Sequence, residues 1–444
     1  MPASSARAGS PNDLEAFWMP FTPNRAFKAA PRMIVGADGL DYIASDGRRI
    51  IDGTSGLWCC NAGHNRAPIV EAIRKQAGEL DYAPPFQFGH PKAFAAASRI
   101  AALAPGDLNH VFFANSGSEA VDTALKIALA YQNITGNGTR TRLIGRERGY
   151  HGVGFGGISV GGIVGNRKLY GGLLTGVDHL PTTYNREQQA FTKGEPDWGA
   201  HLADELERIV GLHDASTIAA VIVEPMAGST GVLPSPKGYL QRLRAICDKY
   251  GILLIFDEVI TGFGRLGTAF AAERYGVQPD ILTFAKAVNS GTVPMGGAIV
   301  RAPVFEAFMR GPELAVELPH GYTYSGHPLA AAAALATLDL YRDEGLFERA
   351  RAIEPTFADA VMSLRGLPGI LDIRTIGLAA GIDLEPRPGA AGRRAYEVMV
   401  AAYEAGAMVR VTADTIALAP PLIVDEAAIG RLTGIVANAI RTVG

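Results

Sequence analysis

The stretch ILLIFD (252–257) decides the fold. It is a short apolar run that ends in a carboxylate, the pattern of a strand buried on both faces of a sheet. IAAVIV (218–223) and ILTF (281–284) have the same character, and a segment with helical spacing, 239–250, lies between the first two runs in the chain. This alternation of strand and helix predicts an α/β fold around a mostly parallel sheet.

A fourth apolar run, VFFA (111–114), leads directly into NSGSEAVDTALK (115–126). Ser116 and Glu119 have the spacing of a capping box, so Ser116 is expected to cap a helix and Glu119 to reach back. The backbone N–H groups of Gly117 and Ser118 then lie at a helix N-terminus, which attracts anions. The pattern therefore fits either a phosphate site or an ordinary capped helix.

An ionisable residue follows each of the first three runs: Glu224, Asp257 and Lys286. Ligands of open parallel sheets bind outside the carboxyl ends of the strands. One such charge alone would most simply be a solvated strand end. Three charges of both signs predict a binding site, and the glycine-dense loops 149–165, 262–267 and 291–297 are expected to turn tightly or approach a ligand there.

Length and composition narrow the remaining possibilities. A chain of 444 residues is longer than one typical domain. Residues 56–325 are expected to form a large α/β domain, and 1–55 with the Ala-rich part 326–444 a smaller α+β domain. The net charge of −3, without any basic run, argues against a nucleic-acid partner.

Cysteine usage and apolar segments give the expected location. The three cysteines form no CxxC pair, so neither a disulfide framework nor a metal site is predicted. No apolar run reaches the roughly 18 residues that a membrane span needs. The start, MPASSARAGSPND, lacks the apolar segment of a secretory signal, and the expected location is the cytoplasm.

Two stretches match the dinucleotide-binding pattern G-x-G-x-x-G, at 152–157 and 262–267. That pattern needs a preceding strand, a helix that begins at the third glycine, and an acidic residue about 20 positions later. The acidic residue is wrongly spaced after Gly267, and the other match lies in a glycine-dense loop. A nicotinamide enzyme is therefore a poor second reading, and the H-E-x-x-H motif is absent.

Longer motifs resemble one enzyme family. LLIFDEVITGFGRLG (253–267) and FAKAVNSGTVPMGG (284–297) resemble the signature of class III aminotransferases, which use pyridoxal 5'-phosphate (PLP). Five more segments resemble ω-amino acid:pyruvate (β-alanine:pyruvate) aminotransferases: GLWCCNAGH (56–64), VFFANSGSEAVDTALK (111–126), GYHGVGFGG (149–157), VEPMAGSTGV (223–232) and HGYTYSGHP (320–328). The resemblance runs from about Leu14 to the C-terminus.

The resemblance implies a PLP-dependent transferase of fold type I, a homodimer or a tetramer of such dimers, with active sites shared between subunits. It implies ping-pong transfer of an amino group from an ω-amino acid or primary amine to pyruvate, which yields L-alanine. Donors such as γ-aminobutyrate, putrescine or taurine are the alternative. Racemases, aminomutases and decarboxylases share the scaffold, and a non-catalytic PLP-binding regulator would share the cofactor.

Roles of single residues also follow from the resemblance. Lys286 matches the lysine that binds the cofactor, and Asp257 matches the partner of the cofactor's ring nitrogen. The further cofactor-binding residues are Ser116, Gly117 and Ser118 around the phosphate, Tyr150 and Val259 on the ring faces, His151, Glu224, and Thr323 from the neighbouring subunit. The substrate-binding residues are Arg410 for the carboxylate and Trp58, Tyr150, Phe21 and Phe86 for the apolar wall.

One segment departs from the family pattern. Around Arg410 the chain reads VRVTADTIALAPPLIV (409–424), which is less polar and less glycine-rich than in the β-alanine-type enzymes. We therefore expect the opposite side of the substrate pocket to differ from theirs.

Overall fold

The computed structural model describes residues 14–444. At its centre lies a seven-stranded sheet, here called the central sheet. Its strands follow the order Leu108–Ala114, Gly296–Arg301, Ile281–Phe284, Leu253–Asp257, Ile218–Val223, Arg142–Arg146 and Val177–Leu180. All neighbours are parallel except that Gly296–Arg301 is antiparallel to both of its own. The predicted α/β fold with a mostly parallel sheet is confirmed.

Helices and short turns surround the central sheet. The helices that precede residue 325 are Asn24–Ala29, Ser55–Trp58, Ala67–Glu79, Pro91–Ala101, Gly117–Ile134, Phe155–Val160, Val164–Arg167, Arg186–Gln189, Glu205–His213, Tyr239–Tyr250, Ala271–Tyr275 and Ala302–Phe308. Three 3-10 turns cover Ala200–Asp204, Ala215–Thr217 and Lys286–Asn289, and Met226–Ala227 pairs with Leu233–Pro234. The helix expected over 239–250 has those bounds, and it ends at Gly251, whose left-handed backbone suits a glycine.

Two further four-stranded sheets lie outside the central sheet. Ile370–Ile376, Ala379–Leu384, Thr415–Leu418 and Arg410–Thr412 form one, and Ile34–Asp38, Asp41–Ala44, Arg49–Asp52 and Ala407–Met408 form the other. The second sheet pairs Ile51 with Ala407, so it joins the N-terminal and C-terminal parts of the chain, as a shared small domain requires. The domain boundaries stay predictions, and residues 1–13 lie outside the described part.

The helices that follow residue 325 are Pro328–Asp343, Leu346–Met362, Arg393–Glu404 and Glu426–Val443. Pro328–Asp343 packs against Ala67–Glu79, Pro91–Ala101 and the turn that begins at Lys286. The Tyr341 hydroxyl donates to the carbonyl oxygen of Ala287 at 2.6 Å. This helix therefore joins the two predicted domains beside the candidate site.

The strands of the central sheet explain where that site forms. Ile218–Val223 and Leu253–Asp257 are buried along their whole length, so their backbone reaches other molecules only at the ends. Because these strands run parallel with Ile281–Phe284, Glu224, Asp257 and Lys286 lie at one edge of the sheet. Among residues 14–444, no helix is both long enough and apolar enough to cross a bilayer.

The loop at 262–267 carries no dinucleotide fold. Residues 259–267 form consecutive turns, and the next helix begins only at Ala271. The structure therefore agrees with the rejection of a nicotinamide site at this motif.

Candidate active site

A cavity of about 290 Å³ opens at the carboxyl edge of the central sheet. Eight of the residues expected to bind cofactor or substrate line it: Ser116, Gly117, Ser118, Tyr150, Glu224, Asp257, Val259 and Lys286. They come from loops after five different strands, which only the parallel arrangement brings together. The edge thus combines an anion site, buried carboxylates and a buried amine.

The anion site lies at the start of helix Gly117–Ile134. The Ser116 side chain accepts from the backbone N–H of Glu119 at 3.2 Å, which confirms Ser116 as the cap. Glu119 reaches back, but it accepts from the N–H of Asn115 at 2.7 Å, one residue before the cap. The helix N-terminus therefore faces the cavity with its first N–H groups available to an anion.

Glycines keep the space around this helix end open. A Cβ on Gly117 would lie 2.8 Å from Cγ1 of Val259. A Cβ on Gly152 would lie 2.5 Å from Oγ of Ser118, and Gly152 has a φ of 86°. Side chains at these two positions would fill the volume that a phosphate and an attached ring need.

Asp257 ends the central strand with a carboxylate that is 5% exposed. Its Oδ2 pairs with Nδ1 of His151 at 2.8 Å. Its Oδ1 accepts from the Thr283 hydroxyl at 3.1 Å and from the N–H of Val259 at 3.2 Å. A carboxylate accepts about four hydrogen bonds, so Asp257 retains capacity for one more donor.

Lys286 opens the loop that follows Ile281–Phe284. Its backbone has a φ of 50°, an uncommon conformation for a non-glycine residue that often marks functional sites. Burial lowers the pKa of the Lys286 ammonium, while Cys59, Asp257 and Glu224 oppose that shift. Burial therefore favours the neutral amine, the form that can act as a nucleophile or accept a proton.

Glu224 lies between the loops that carry Tyr150 and Gly228. Its carboxylate accepts from the N–H of Tyr150 at 2.8 Å and from the N–H of Gly228 at 3.1 Å. Burial raises the pKa of Glu224 to about 7, with nearby Asp257 raising it further. Glu224 thus fixes the backbone of Tyr150 at the cavity wall.

Arg410 begins the strand Arg410–Thr412 of the four-stranded sheet that also contains Thr415–Leu418, and it approaches the cavity from that sheet. Burial lowers the pKa of its guanidinium, while Tyr150 and Cys59 oppose that shift. Its Nε is buried without a hydrogen-bond partner, and among residues 14–444 no carboxylate forms an ion pair with it. A half-buried, unpaired guanidinium beside the cavity is suited to a carboxylate ligand.

Six of the expected residues do not line the cavity, and one of them is Arg410, whose neighbours Tyr150 and Cys59 do line it. His151 lies behind Asp257, and Trp58 is buried in the hydrophobic core with its Nε1 unpaired. Thr323 is exposed, and its carbonyl oxygen accepts from the Tyr82 hydroxyl at 3.0 Å. Phe86 lines a separate apolar cleft, and Phe21 is 74% exposed. Their assigned roles stay predictions.

Sequence reasoning missed other residues that line the cavity. They are Cys59, Asn115, Gly152, Ile260, Ala285, Asn289, Gly291, Val293, Pro294 and Met295. Half of them are immediate chain neighbours of residues that the motifs did single out. Cys59, which follows Trp58, lies in the segment GLWCCNAGH (56–64), but no role was assigned to it from the sequence.

Known proteins that are similar to this chain in sequence and in fold include several aminotransferases. The family model described as aminotransferase class-III matches residues 24–440. An omega-aminotransferase of Caulobacter vibrioides is 61% identical over 95% of this chain and 96% of its own length. An omega-amino acid–pyruvate aminotransferase of Pseudomonas putida is 49% identical over 94% of this chain and 93% of its own.

Solved structures agree with the sequences. An (S)-enantioselective omega-transaminase from Thermomicrobium roseum superimposes with a TM-score of 0.90 at 35% identity, with 96% of both chains covered. A PLP-bound amine transaminase from an uncultivated Pseudomonas species gives a TM-score of 0.90 at 35% identity, over 98% of this chain and 100% of that one. The expected PLP-dependent transferase fold is confirmed, and the chain belongs to the class III aminotransferases.

Proposed function

We propose that this enzyme transfers an amino group from an ω-amino acid or a primary amine to pyruvate, in two half-reactions at one site. The observation that carries the proposal is the unpaired guanidinium of Arg410 beside a cavity that also contains the Lys286 amine. A keto acid needs both a carboxylate partner and an amine-transfer centre. The similarity to ω-amino acid:pyruvate and β-alanine:pyruvate aminotransferases supports pyruvate as the acceptor.

PLP is the cofactor of this family, and the cavity fits it. The N–H groups at the start of helix Gly117–Ile134 suit a phosphate, and the glycines there leave room for it. Asp257 has acceptor capacity for a ring N–H, and Lys286 supplies a buried amine. When bound, PLP provides the electron sink that makes the donor's C–H bond acidic.

The residues of the chain would then share the work. Ser116, Gly117 and Ser118 bind the phosphate, and Tyr150 and Val259 pack on the two ring faces. Asp257 holds a proton at the ring nitrogen, with His151 and Thr283 fixing the carboxylate. The Nζ of Lys286 would accept a proton from the donor carbon and donate it to the cofactor side of the bond instead of back to the donor, because a neutral amine can act as a base and its protonated form as an acid.

Gly152→Ala should weaken cofactor binding, because its Cβ would lie 2.5 Å from Oγ of Ser118 and force the phosphate cup to shift. We expect the dissociation constant of PLP to rise about tenfold, which corresponds to roughly 1.4 kcal/mol. Spectrophotometric titration of the apoenzyme measures it. Gly165→Ala is the matched control, since a Cβ there meets nothing within 4 Å; equal constants for both variants would contradict this reading.

Arg410→Ala should damage the pyruvate half-reaction far more than the amine half-reaction. The keto acid loses a bidentate charge-assisted partner, which is worth roughly 1.5–3 kcal/mol, whereas a donor without a carboxylate loses little. Single-turnover absorbance traces should show the pyruvate half-reaction slowed at least about tenfold. Equal losses in both half-reactions would show that Arg410 does not bind the substrate carboxylate. Arg387→Ala is the control, because Arg387 forms its ion pair with Glu397.

A donor panel tests the proposed function as a whole. β-Alanine, γ-aminobutyrate, putrescine, 1-phenylethylamine and taurine are each mixed with the PLP-loaded enzyme and pyruvate, and alanine is measured. Alanine formation dependent on both donor and pyruvate is expected. Formation of no alanine with any donor, or racemised or decarboxylated donor in its place, would overturn the proposal.

We further propose a homodimer in which each subunit completes its partner's site. Thr323 lies at the surface, and a Cβ on the nearby Gly321 would lie 2.8 Å from the Phe86 ring. Exposed aromatic side chains lie in the same parts of the chain, with Phe86 56% and Phe88 72% exposed. If a partner subunit covers this surface, Thr323 and Phe86 would lie at the active-site cavity of that partner.

We also propose a cytoplasmic location, which the three free thiols fit.

A further inference from the structure

Arg265 is a fully buried arginine in the loop that follows Asp257, and its side chain is 0% exposed. Among residues 14–444 no carboxylate forms an ion pair with it. Burial lowers the pKa of its guanidinium to about 10. A buried charge without a counter-ion is costly, so its retention calls for a specific structural or functional use.

The guanidinium holds both ends of one turn, residues 55–61, here called the 55–61 turn. Its Nη2 donates to Oγ of Ser55 and to Oδ1 of Asn61, both at 2.7 Å. Its Nη1 donates to the carbonyl oxygens of Leu378 at 3.0 Å and Pro420 at 2.7 Å. A single side chain thus closes the turn and anchors it to the C-terminal part of the chain.

The 55–61 turn has a backbone that needs such support. Ser55, Gly56 and Trp58 have φ values of 47°, 65° and 65°. Two of these three are non-glycine residues, for which the left-handed region is unfavourable. Strained backbone of this kind persists only where surrounding contacts determine it, and it concentrates at functional sites.

The turn forms part of the wall beside Lys286. Cys59 lines the cavity, and a Cβ on Gly291, whose N–H donates to the Lys286 carbonyl oxygen, would lie 2.8 Å from Cβ of Cys59. The N–H of Ala62 donates to Oγ of Ser290 at 3.1 Å. The position of the turn therefore sets the width of the cavity next to the reacting amine.

We propose that Arg265 is a positioning residue for donor specificity: by closing the 55–61 turn it holds Cys59 against the Lys286 loop and limits the size of the amine. This inference rests on the proposed function, because it concerns which donors reach Lys286. Arg265 touches neither cofactor nor substrate and acts through the turn alone.

Two variants loosen the turn. Arg265→Lys removes the planar fork, and Ser55→Ala leaves the guanidinium in place but removes one of its acceptors, together with the bond from the Ser55 hydroxyl to the Ala419 carbonyl oxygen. The control is Arg274→Lys, in the helix Ala271–Tyr275 that follows the loop, since Arg274 donates to the Leu266 carbonyl oxygen and pairs with Glu354 but does not touch the turn. All three are assayed as PLP-loaded enzymes at a temperature well below their unfolding.

We expect kcat/KM for β-alanine to fall roughly tenfold in Arg265→Lys, mainly through KM, because small displacements of a positioned wall have effects of this order. The loss for the bulkier 1-phenylethylamine should be smaller, so that the ratio of the two kcat/KM values shifts about threefold towards the bulky donor. Alkylation of Cys59 by iodoacetamide, followed by peptide mass spectrometry, should accelerate in both turn variants and not in Arg274→Lys.

The proposal is overturned if neither Ser55→Ala nor folded Arg265→Lys changes the donor ratio or the rate of Cys59 alkylation. If Arg265→Lys does not fold, Ser55→Ala alone decides. A shift of equal size in Arg274→Lys would also overturn it. If the wild-type enzyme forms alanine with none of the five donors of the panel, the proposed function has failed, and Cys59 alkylation then decides on Arg265 separately.

Discussion

Replacing Lys286 by alanine is expected to slow the amine half-reaction at least about 10⁴-fold, the upper range for loss of a positioned acid–base group. Lys286 lies in the cavity beside Asp257 and Glu224, and burial lowers the pKa of its ammonium. Alanine at this position removes the amine that binds the cofactor and the base that moves the proton. Stopped-flow absorbance of the PLP-loaded variant mixed with a donor measures the rate.

Two comparisons separate this chemical loss from a folding defect. Lys286→Arg keeps a cation but stays charged, so it should be as inactive as Lys286→Ala. A small primary amine added to the solution should restore part of the rate of Lys286→Ala and none of the rate of Lys286→Arg. A Lys286→Ala enzyme that keeps more than about 1% of the wild-type rate would contradict the assigned role.

Asp257→Asn is expected to slow the same half-reaction about 10³-fold. A carboxylate and a protonated ring nitrogen about 4 Å apart interact by roughly 4 kcal/mol at an effective dielectric constant near 20, and each 1.4 kcal/mol is a factor of ten in rate. Asparagine keeps nearly the same shape and its oxygen can still accept from Thr283 and Val259, so the change removes the charge and the second carboxylate oxygen, which faces His151.

The matched comparison for Asp257 is Thr283→Val, which removes one hydrogen bond to the carboxylate without removing its charge. We expect that variant to lose about tenfold to a hundredfold, because one hydrogen bond to a charged group contributes roughly 1.5–3 kcal/mol. Unfolding temperatures of both variants check that the fold is retained. Similar rates for Asp257→Asn and Thr283→Val would show that the charge of Asp257 is not what the reaction needs.

The sequence predicted the main strands well because they are buried on both faces. Ile218–Val223 and Ile281–Phe284 have the expected bounds, and the run expected at 111–114 proves to be the end of Leu108–Ala114. Continuous apolar runs leave little freedom in this environment. The placement of charges at the carboxyl ends then predicted the position of Asp257 and Lys286.

The strand Gly296–Arg301 was not predicted, and the reason is physical. Gly296 and Gly297 were expected to form a turn or to approach a ligand. Instead they begin a strand that lies between Ile281–Phe284 and Leu108–Ala114. A Cβ on Gly296 would lie 2.7 Å from the Ser116 carbonyl oxygen, and one on Gly297 2.6 Å from that of Phe112. Glycine is needed there for close packing of backbones, which local sequence patterns do not reveal.

The outer part of the site follows from long-range contacts that no local motif records. Cys59 reaches the cavity because the 55–61 turn is held by Arg265, some two hundred residues later in the chain. Thr323, Phe86 and Phe21 lie at the surface of one chain. The roles predicted for these three residues depend on an assembly that the sequence implies only through its family resemblance.

The most direct test is to map where the cofactor attaches. The PLP-loaded enzyme is reduced with sodium borohydride, which fixes the cofactor to the amine that holds it, and the digested protein is analysed by peptide mass spectrometry. The account predicts the added mass on the peptide that contains Lys286, and its loss when a donor amine is added before reduction. Attachment to any other lysine, or a label on Lys286 that the donor does not displace, would contradict it.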